Sequence, residues 1–428
     1  MKLSKIVDLI KGPKDTLVRL EIRPGSNPKT SKVVGIVRDK IKLTANLASG
    51  KVFEVRHNES VRMLGVVELP SFYGSTGDGH KATDDVEEII EKFKKNEVEG
   101  IVLDLRRNGG GYLSEAVNLA GLFISRGPVV QVKSTDGNIR KKFDFDPKLS
   151  WNGPLAILVS RFSASASEIV AGALQNHKRA IIIGDPSTHG KGTVQSLIQM
   201  NLPFNFFSDH NKKSAAKITI QKYYLPSGKS TQISGVDSDI SMPTINVFRP
   251  IGESDLEYAL ECDSIPPVKF RRPPQEFSYK DSTLLQLSKN SMERQSSLEE
   301  FSYLNESVNW FQEKQQEKSE TLNLEERIKL KHLNNDKNDL LNEKFDNLST
   351  KSFKEKDVIL EIVKEQNAKS ILARGDEELE TDHTTSEFKK SESLDIRLHE
   401  SLRIVSDWIF IRNENELSQS TNPMDKEI

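Results

Sequence analysis

Two adjoining segments decide how the middle of this chain folds: Leu155–Val159, which reads Leu-Ala-Ile-Leu-Val, and Ser163–Ile169, which reads Ser-Ala-Ser-Ala-Ser-Glu-Ile. The first is a short uninterrupted apolar run, typical of a strand that is buried on both faces. In the second, Ser165 stands three residues before Glu168, which is the spacing of a capping box at a helix N-terminus. We therefore predict a buried strand that turns into a helix over Ser165–His177.

The same alternation of short apolar runs and helical segments extends from about Asp39 to Thr244 and predicts an α/β core. The other predicted strands are Met63–Leu69, Gly100–Leu105, Val129–Val132, Ala180–Gly184, Thr193–Ile198 and Ala216–Leu225. The other predicted helices are Asp84–Asn96 and Leu113–Ile124.

The two ends of the chain differ from this core. Residues 1–38 predict a short amphipathic helix, a Lys-Gly-Pro turn at residues 11–13 and two alternating strands, which is too little for a domain. Residues 246–428 are rich in Glu, Lys, Asn, Leu and Ser at helical spacing and predict a charged helical domain. We therefore divide the chain into residues 1–38, 39–245 and 246–428.

The composition gives no support for a nucleic-acid-binding protein, a disulfide-stabilised protein or an integral membrane protein. The 428 residues carry a net charge of −2, which gives no indication of a nucleic-acid partner. The single cysteine, Cys262, cannot form an internal disulfide, and no run of about 18 apolar residues predicts an integral membrane segment. The first ten residues do not resemble a signal peptide, so the chain as written would be cytoplasmic.

A glycine turn follows one of the predicted strands. Residues 103–111 read Leu-Asp-Leu-Arg-Arg-Asn-Gly-Gly-Gly, and such a turn lets backbone N–H groups converge on a negatively charged oxygen. A plain strand-to-helix turn explains the same pattern. No Gly-Lys-Ser/Thr ending is present, so the turn does not indicate a phosphate loop.

A lysine in a second glycine loop, Gly190-Lys191-Gly192, offers a general base for a serine nucleophile. Lys191 could act in this way only if burial lowered its pKa from about 10.4 toward 7–8. Gln195, four residues on in a predicted strand, would then lie beside the lysine and orient its amine. Each residue also has a simpler explanation, namely a helix cap, an exposed loop lysine and a solvated glutamine. His189 is an alternative base, and no histidine shows metal-ligand spacing.

These three segments, in this order, resemble those of the C-terminal processing peptidases, and among them the tail-specific protease branch of Gram-negative bacteria. The resemblance implies that Ser165 is the nucleophile, Lys191 the general base and Gln195 its orienting partner. It implies an oxyanion hole made of the backbone amides of Gly111 and Ala166. It also implies a Clp-protease/crotonase-like α/β core, preceded here by the end of a PDZ domain and followed by the charged helical domain.

Three features depart from the pattern of that family. Compared with that family, the sequence as written is expected to lack most of the PDZ domain and any export signal. Lys191 follows Ser165 by 26 residues, one more than is usual, and the extra residue lies in residues 187–190. Asn176 stands where an aspartate is common, and Cys262 stands where the C-terminal domain usually has tryptophan.

The resemblance implies a serine endopeptidase that cleaves proteins near their C-termini without a metal or other cofactor. Its partners would be unfolded or C-terminally tagged proteins, together with an adaptor protein, and its location would be periplasmic. The alternative is an inactive remnant that acts at most as a binding module. A crotonase-like acyl-CoA enzyme is a weaker alternative, because it leaves Lys191 and Gln195 without a role.

Overall fold

The computed structural model describes residues 3–23, 30–39, 44–57, 60–74, 80–200, 214–270, 278–317, 319–349, 353–366, 388–390 and 394–420. The chain divides into two compact units, Met1–Asn46 and Leu47–Ile428. In the first unit, helix α1 (Leu3–Ile10) is followed by strands β1 (Leu17–Ile22) and β2 (Lys32–Val37), which pair antiparallel. The helix and the two strands predicted near the start of the chain are therefore confirmed.

The second unit contains two β-sheets. Its strands are β3 (Ser49–His57), β4 (Ser60–Glu68), β5 (Gly100–Asp104), β6 (Gly127–Ser134), β7 (Ile139–Asp144), β8 (Leu155–Val159), β9 (Ile181–Gly184), β10 (Thr193–Met200), β11 (Ser214–Tyr224), β12 (Ile240–Ser241), β13 (Lys354–Val358) and β14 (Lys389–Lys390). The larger sheet has the order β12-β9-β8-β5-β4-β3-β13-β14, and the smaller one has the order β10-β11-β6-β7. Strands β4, β5, β8, β9 and β12 run parallel, whereas the smaller sheet is antiparallel throughout.

Helices cover both faces of the larger sheet. They are α2 (Ala82–Lys95), α3 (Leu113–Gly121), α4 (Ala166–Asn176), α5 (Asp281–Ser297), α6 (Glu299–Gln316), α7 (Leu324–Ser349) and α8 (Ile396–Ser420). Leu103 of β5 packs in a core with α2, α3 and α4, and its neighbour Val102 packs in a second core with α5, α6 and α8. A parallel strand between two helical layers must be apolar on both faces, which explains the uninterrupted apolar runs.

Every predicted strand and helix of the α/β core is present, with ends that differ by a few residues, and the fold is mixed α/β. Five strands were not predicted, namely β3, β7, β12, β13 and β14. Strand β13 comes from the C-terminal region, where Lys354–Val358 pairs with β3. Its sequence, Lys-Glu-Lys-Asp-Val, is mostly charged and has no alternation of apolar and polar residues that would predict a strand. The segment is held near the edge of the sheet by backbone hydrogen bonds, which do not depend on the side chains. Among the described residues, none of the helices has the length and apolarity needed to cross a membrane.

Candidate active site

The three serines at the junction of β8 and α4 differ in burial: Ser163 and Ser167 are fully buried, whereas Ser165 is not. The Ser163 hydroxyl donates to the Leu105 carbonyl oxygen, and the Ser167 hydroxyl donates to the Asn108 carbonyl oxygen, both at 2.8 Å. Ser165 is only half-buried, and within the described residues its hydroxyl donates to no other protein group. Ser165 is therefore the serine of the three whose hydroxyl is available for chemistry.

The backbone of Ser165 is strained. Its φ of 59° and ψ of −111° lie in a region that favours glycine, and such a conformation costs about 1–3 kcal/mol in a residue with a side chain. Hydrogen bonds on both sides hold it there: Ser165 N–H donates to Glu168 Oε2 at 2.7 Å, and Ala164 N–H donates to the Asn108 carbonyl oxygen at 3.1 Å. The turn thus presents the Ser165 side chain at the N-terminus of α4, where the helix dipole favours negative charge.

The glycine turn after β5 lies against this serine. A Cβ atom on Gly110, which has a φ of 108°, would stand 2.8 Å from Ser165 Cβ and 2.9 Å from the Ala164 carbonyl oxygen. A Cβ atom on Gly111, at a φ of 153°, would stand 2.2 Å from the Phe72 carbonyl oxygen. Only glycine fits at either position. Because glycine has no side chain, the backbone of the turn can lie directly against Ser165.

The Gly111 and Ala166 amides have no hydrogen-bond acceptor among the described residues. Phe72 N–H donates to the Gly110 carbonyl oxygen, and Tyr112 N–H donates to the Phe72 carbonyl oxygen. The Gly111 N–H takes no part in this bridge. Ala166 is the first residue of α4, and the N–H of a first helical residue has no acceptor within its helix. Both N–H groups are available for a developing oxyanion.

Lys191 lies in the loop between β9 and β10 and is half-buried. Its Nζ donates to Gln195 Oε1 at 3.4 Å across a β-bulge between Val194 and Gln195. Burial lowers the pKa of Lys191 and nearby Lys217 lowers it further, whereas the Glu253 and Glu168 carboxylates oppose this shift. The direction is the one that a neutral, proton-accepting amine requires.

One buried carboxylate joins the serine turn to the lysine loop. Besides the N–H of Ser165, Glu168 accepts hydrogen bonds from the Thr188 hydroxyl and from the N–H groups of Gly190 and Lys191, at 2.7, 2.7 and 3.0 Å. Burial raises the pKa of Glu168 to about 7 although these donors favour its charged form. We predicted only the capping contact; the other partners lie on a loop 20 or more residues away and leave no local signal in the sequence.

Two hydroxyl groups from neighbouring segments fix the backbone of the lysine. The fully buried Tyr223 donates its hydroxyl to the Lys191 carbonyl oxygen, and the Thr231 hydroxyl donates to the same oxygen at 2.9 Å. The Tyr223 hydroxyl also lies 3.3 Å from the Ser165 carbonyl oxygen. Neither residue was predicted from the sequence, because tyrosine is common in strands and threonine is common in turns.

No hydrogen bond links Ser165 Oγ to Lys191 Nζ within the described residues. Their backbones are tied together through Glu168, and apo active sites often show loose contacts between nucleophile and base. His189 likewise forms no hydrogen bond with Ser165 in this part of the chain; its Nδ1 lies 3.9 Å from Glu253 Oε2. Asn176, where an aspartate is common, accepts the Ser227 N–H through its side-chain oxygen at 2.9 Å.

Comparison with known families gives two adjacent matches. Residues 63–242 match the model of peptidase family S41, and residues 248–410 match the C-terminal domain of tail specific protease. The chain contains a peptidase family S41 domain. The resemblance to the tail-specific branch that the sequence motifs indicated is thereby confirmed, and the S41 domain contains Ser165, Lys191 and the glycine turn.

Relatives of this S41 chain have names that agree with these matches. It is 37% identical over 361 residues to the tail-specific protease of Haemophilus influenzae, covering 83% of this chain and 49% of that protein. It is 34% identical over 261 residues to the carboxy-terminal-processing protease of Bartonella bacilliformis, covering 59% and 55%. A solved structure of a photosystem II D1 C-terminal processing protease is 28% identical, covers 56% of this chain and 59% of that chain, and has a TM-score of 0.38. The chain thus spans about half the length of the curated relatives that it matches.

Proposed function

We propose that this protein is a serine endopeptidase that cleaves protein substrates near their C-termini with a Ser165–Lys191 dyad. The observation that carries the proposal is the difference between the three serines: Ser163 and Ser167 donate their hydroxyls to backbone carbonyls, whereas the Ser165 hydroxyl donates to no group among the described residues. In addition, Glu168 links the turn of Ser165 to the loop of the partly buried Lys191. The S41 domain supports the same chemistry. The activity of the relatives named tail-specific and carboxy-terminal-processing protease comes to this chain as part of the proposal.

In the proposed mechanism, neutral Lys191 accepts the hydroxyl proton of Ser165 while Oγ attacks the scissile carbonyl carbon. The Gly111 and Ala166 N–H groups bind the resulting oxyanion. When the tetrahedral intermediate collapses, the protonated lysine gives its proton to the leaving amine, and the substrate is left as an ester on Ser165. Water then attacks the ester with Lys191 again as base, which releases the carboxylate product and restores the serine hydroxyl.

Gln195 has a positioning role in this mechanism. Its side-chain oxygen accepts a hydrogen bond from Lys191 Nζ, and this bond holds the amine on one side of the loop. The contact is formed by a neutral group, so it orients the lysine without adding a negative charge that would raise its pKa. No step needs a metal or other cofactor.

The finer parts of the assignment rest on the family resemblance. We propose a Clp-protease/crotonase-like core over residues 39–245, the end of a PDZ domain over residues 1–38 and a helical C-terminal domain over residues 246–428. The matches to residues 63–242 and 248–410 support a boundary near residue 245. Substrates would be unfolded or C-terminally tagged proteins, with an adaptor as a further partner and the periplasm as the location.

The test is hydrolysis of an unfolded reporter protein with an apolar C-terminal tail. Wild type should cleave it, whereas Ser165→Ala and Lys191→Ala should be inert although circular dichroism shows them folded. Ser167→Ala is the matched control, since it removes a neighbouring hydroxyl that donates only to a backbone carbonyl. Cleavage by Ser165→Ala at the wild-type rate would refute the proposal, and inert wild type would favour the non-catalytic binding module.

A further inference from the structure

The C-terminal domain reaches the lysine loop through one glutamate. Glu253 lies just inside the segment matched by the C-terminal domain of tail specific protease, in a short 3-10 turn, Glu253–Asp255. Its backbone N–H donates to the carbonyl oxygen of His189 at 2.9 Å. Its side chain, 13% exposed, accepts a hydrogen bond from Gln232 Nε2 at 3.1 Å.

Gln232 connects Glu253 to the residue that follows Lys191. It is fully buried, and its Oε1 accepts the backbone N–H of Gly192 at 2.8 Å. A Cβ atom on Gly192 would stand 2.7 Å from the Gln232 backbone nitrogen, so the loop lies directly against this residue. Glu253 therefore contacts the loop on both sides of Lys191. Its backbone N–H binds His189, two residues before the lysine, and its side chain is connected through Gln232 to Gly192, the residue after the lysine.

The surroundings of Glu253 are charged and partly enclosed. His189 Nδ1 is buried without a hydrogen-bond partner and lies 3.9 Å from Glu253 Oε2. Burial lowers the pKa of His189, which favours its neutral form. The charged or titratable groups around Glu253 and the lysine loop include Lys191, Lys217, Glu168, His189, Arg161, Asp255 and Tyr223.

We propose that Glu253 is a positioning residue for Lys191, so that the C-terminal domain completes the active site of the S41 domain. The inference rests on the proposed Ser165–Lys191 dyad. Glu253 acts through the backbone of residues 189 and 192 and needs no contact with the substrate. Its charge has a second effect, because a carboxylate near an amine favours the protonated amine and so raises the pH at which the lysine becomes a base, against the larger effect of burial.

Two substitutions separate these effects. Glu253→Ala removes the side-chain contact with Gln232 as well as the charge, and a misplaced base should lower kcat about ten- to a hundredfold with KM little changed. Glu253→Gln keeps an oxygen acceptor for Gln232 Nε2 but removes the charge. It should therefore retain most of the wild-type maximal kcat, while the rise of kcat with pH moves to lower pH because Lys191 loses its proton more readily.

The experiment measures kcat and KM against pH for the full chain with the unfolded reporter, for wild type, both Glu253 variants and Glu257→Gln. Glu257 is an exposed carboxylate four residues on and is the matched control, which should behave as wild type. Hydrogen–deuterium exchange over residues 187–195 gives a readout independent of turnover: exchange should be faster in Glu253→Ala and close to wild type in Glu253→Gln.

Two failures are distinguishable. If wild type is active, Ser165→Ala and Lys191→Ala are inert, and both Glu253 variants keep the wild-type kcat, pH profile and exchange, then only the role of Glu253 is refuted. A drop in kcat that is the same in Glu253→Gln and Glu253→Ala, with no shift in the pH profile, would also overturn it. If Lys191→Ala remains active, the dyad itself is wrong.

Discussion

Ser165 and Lys191 share one hydrogen-bond acceptor: their backbone N–H groups both donate to Oε2 of Glu168, at 2.7 and 3.0 Å. The proposed nucleophile and the proposed base belong to loops 26 residues apart in sequence, and this oxygen fixes the distance between them. The extra residue in the loop before Lys191 does not disturb this link, since Thr188 and Gly190 of the same loop also donate to the carboxylate.

Replacing Glu168 by glutamine should abolish most turnover without unfolding the protein. The amide presents one NH2 group where the carboxylate had an oxygen, so at least one of the converging donors loses its acceptor, and the serine and lysine loops separate. A displacement of about 1 Å costs on the order of a hundredfold in rate. The measurement is kcat with the unfolded reporter. Glu300→Gln is the control, because it changes a buried carboxylate that pairs with Arg403, away from the serine turn, and it should retain kcat.

The stability of the wild type should depend on pH through Glu168. Its pKa is raised from 4.5 to about 7 in the folded state, so folding favours the protonated carboxyl. The associated stability is fully present below about pH 4.5 and is lost as pH rises through 7, an effect of about 3 kcal/mol at about 1.4 kcal/mol per pKa unit. Urea unfolding of wild type and Glu168→Gln between pH 4.5 and 8 tests this. The difference between their free energies of unfolding should change with pH, and a constant difference would contradict the expectation.

Turnover should rise with pH, whereas the contribution of Glu168 to the free energy of unfolding falls. The ionised carboxylate is the form that accepts all four donors, and Lys191 must also lose a proton to act as a base. Turnover should therefore rise with pH through the range in which Glu168 lowers the free energy of unfolding. An active site that is less stable in its working protonation state illustrates how function and stability compete.

The strain at Ser165 predicts an unusual ranking of two substitutions. At a φ of 59°, glycine is relaxed and alanine is not, so Ser165→Gly should have a free energy of unfolding about 1 kcal/mol higher than Ser165→Ala. Both variants lack the nucleophile and should be inert. Ser167 provides the control within α4, where Ser167→Gly should be less stable than Ser167→Ala by a similar amount. Denaturant unfolding of the four variants tests the ranking, and the same order at both positions would show that Ser165 is unstrained.

Local patterns explain how much of this arrangement could be predicted from the sequence. The apolar run of β8, the spacing of Ser165 and Glu168, and the glycines of residues 109–111 each act on neighbouring residues, so they place the serine turn and the glycine turn correctly. The motif of three serines does not indicate which hydroxyl lacks a backbone acceptor. The acceptors for Ser163 and Ser167 are the carbonyl oxygens of residues 105 and 108, which lie in the turn after β5, far away in the sequence.

The C-terminal region was harder to interpret for a related reason. Its charge suggests a solvated helical domain, yet Leu402 and Val405 of α8 are fully buried against the larger sheet. A Cβ atom on Gly100 of β5 would stand 2.4 Å from Val405 Cγ1, so this strand leaves room for the helix. Helical spacing indicates an apolar face but does not say which surface covers it.

Asp395 anchors the start of α8 in two ways, and its substitution separates them. Its carboxylate accepts the Leu398 N–H at 3.1 Å as a helix cap and pairs with Arg106, which lies beside the glycine turn, at 2.6 and 3.0 Å. The Arg106 guanidinium lowers the pKa of Asp395 against the effect of burial, so the pair stabilises the protein above pH 3.8 and this contribution is lost as pH falls through the folded-state pKa.

Asp395→Asn keeps a cap acceptor and loses the charge, whereas Asp395→Ala loses both. The free energy of unfolding at pH 7 should therefore fall in the order wild type, Asp395→Asn, Asp395→Ala, with about 1 kcal/mol for the cap alone. Glu414→Ala, at an exposed position of the same helix, should match wild type. Because Arg106 keeps its pairing with Asp104, turnover should change much less than stability. If Asp395→Asn unfolds at the same denaturant concentration as wild type at both pH 4 and pH 7, the ion pair contributes nothing, and the cap alone anchors the helix.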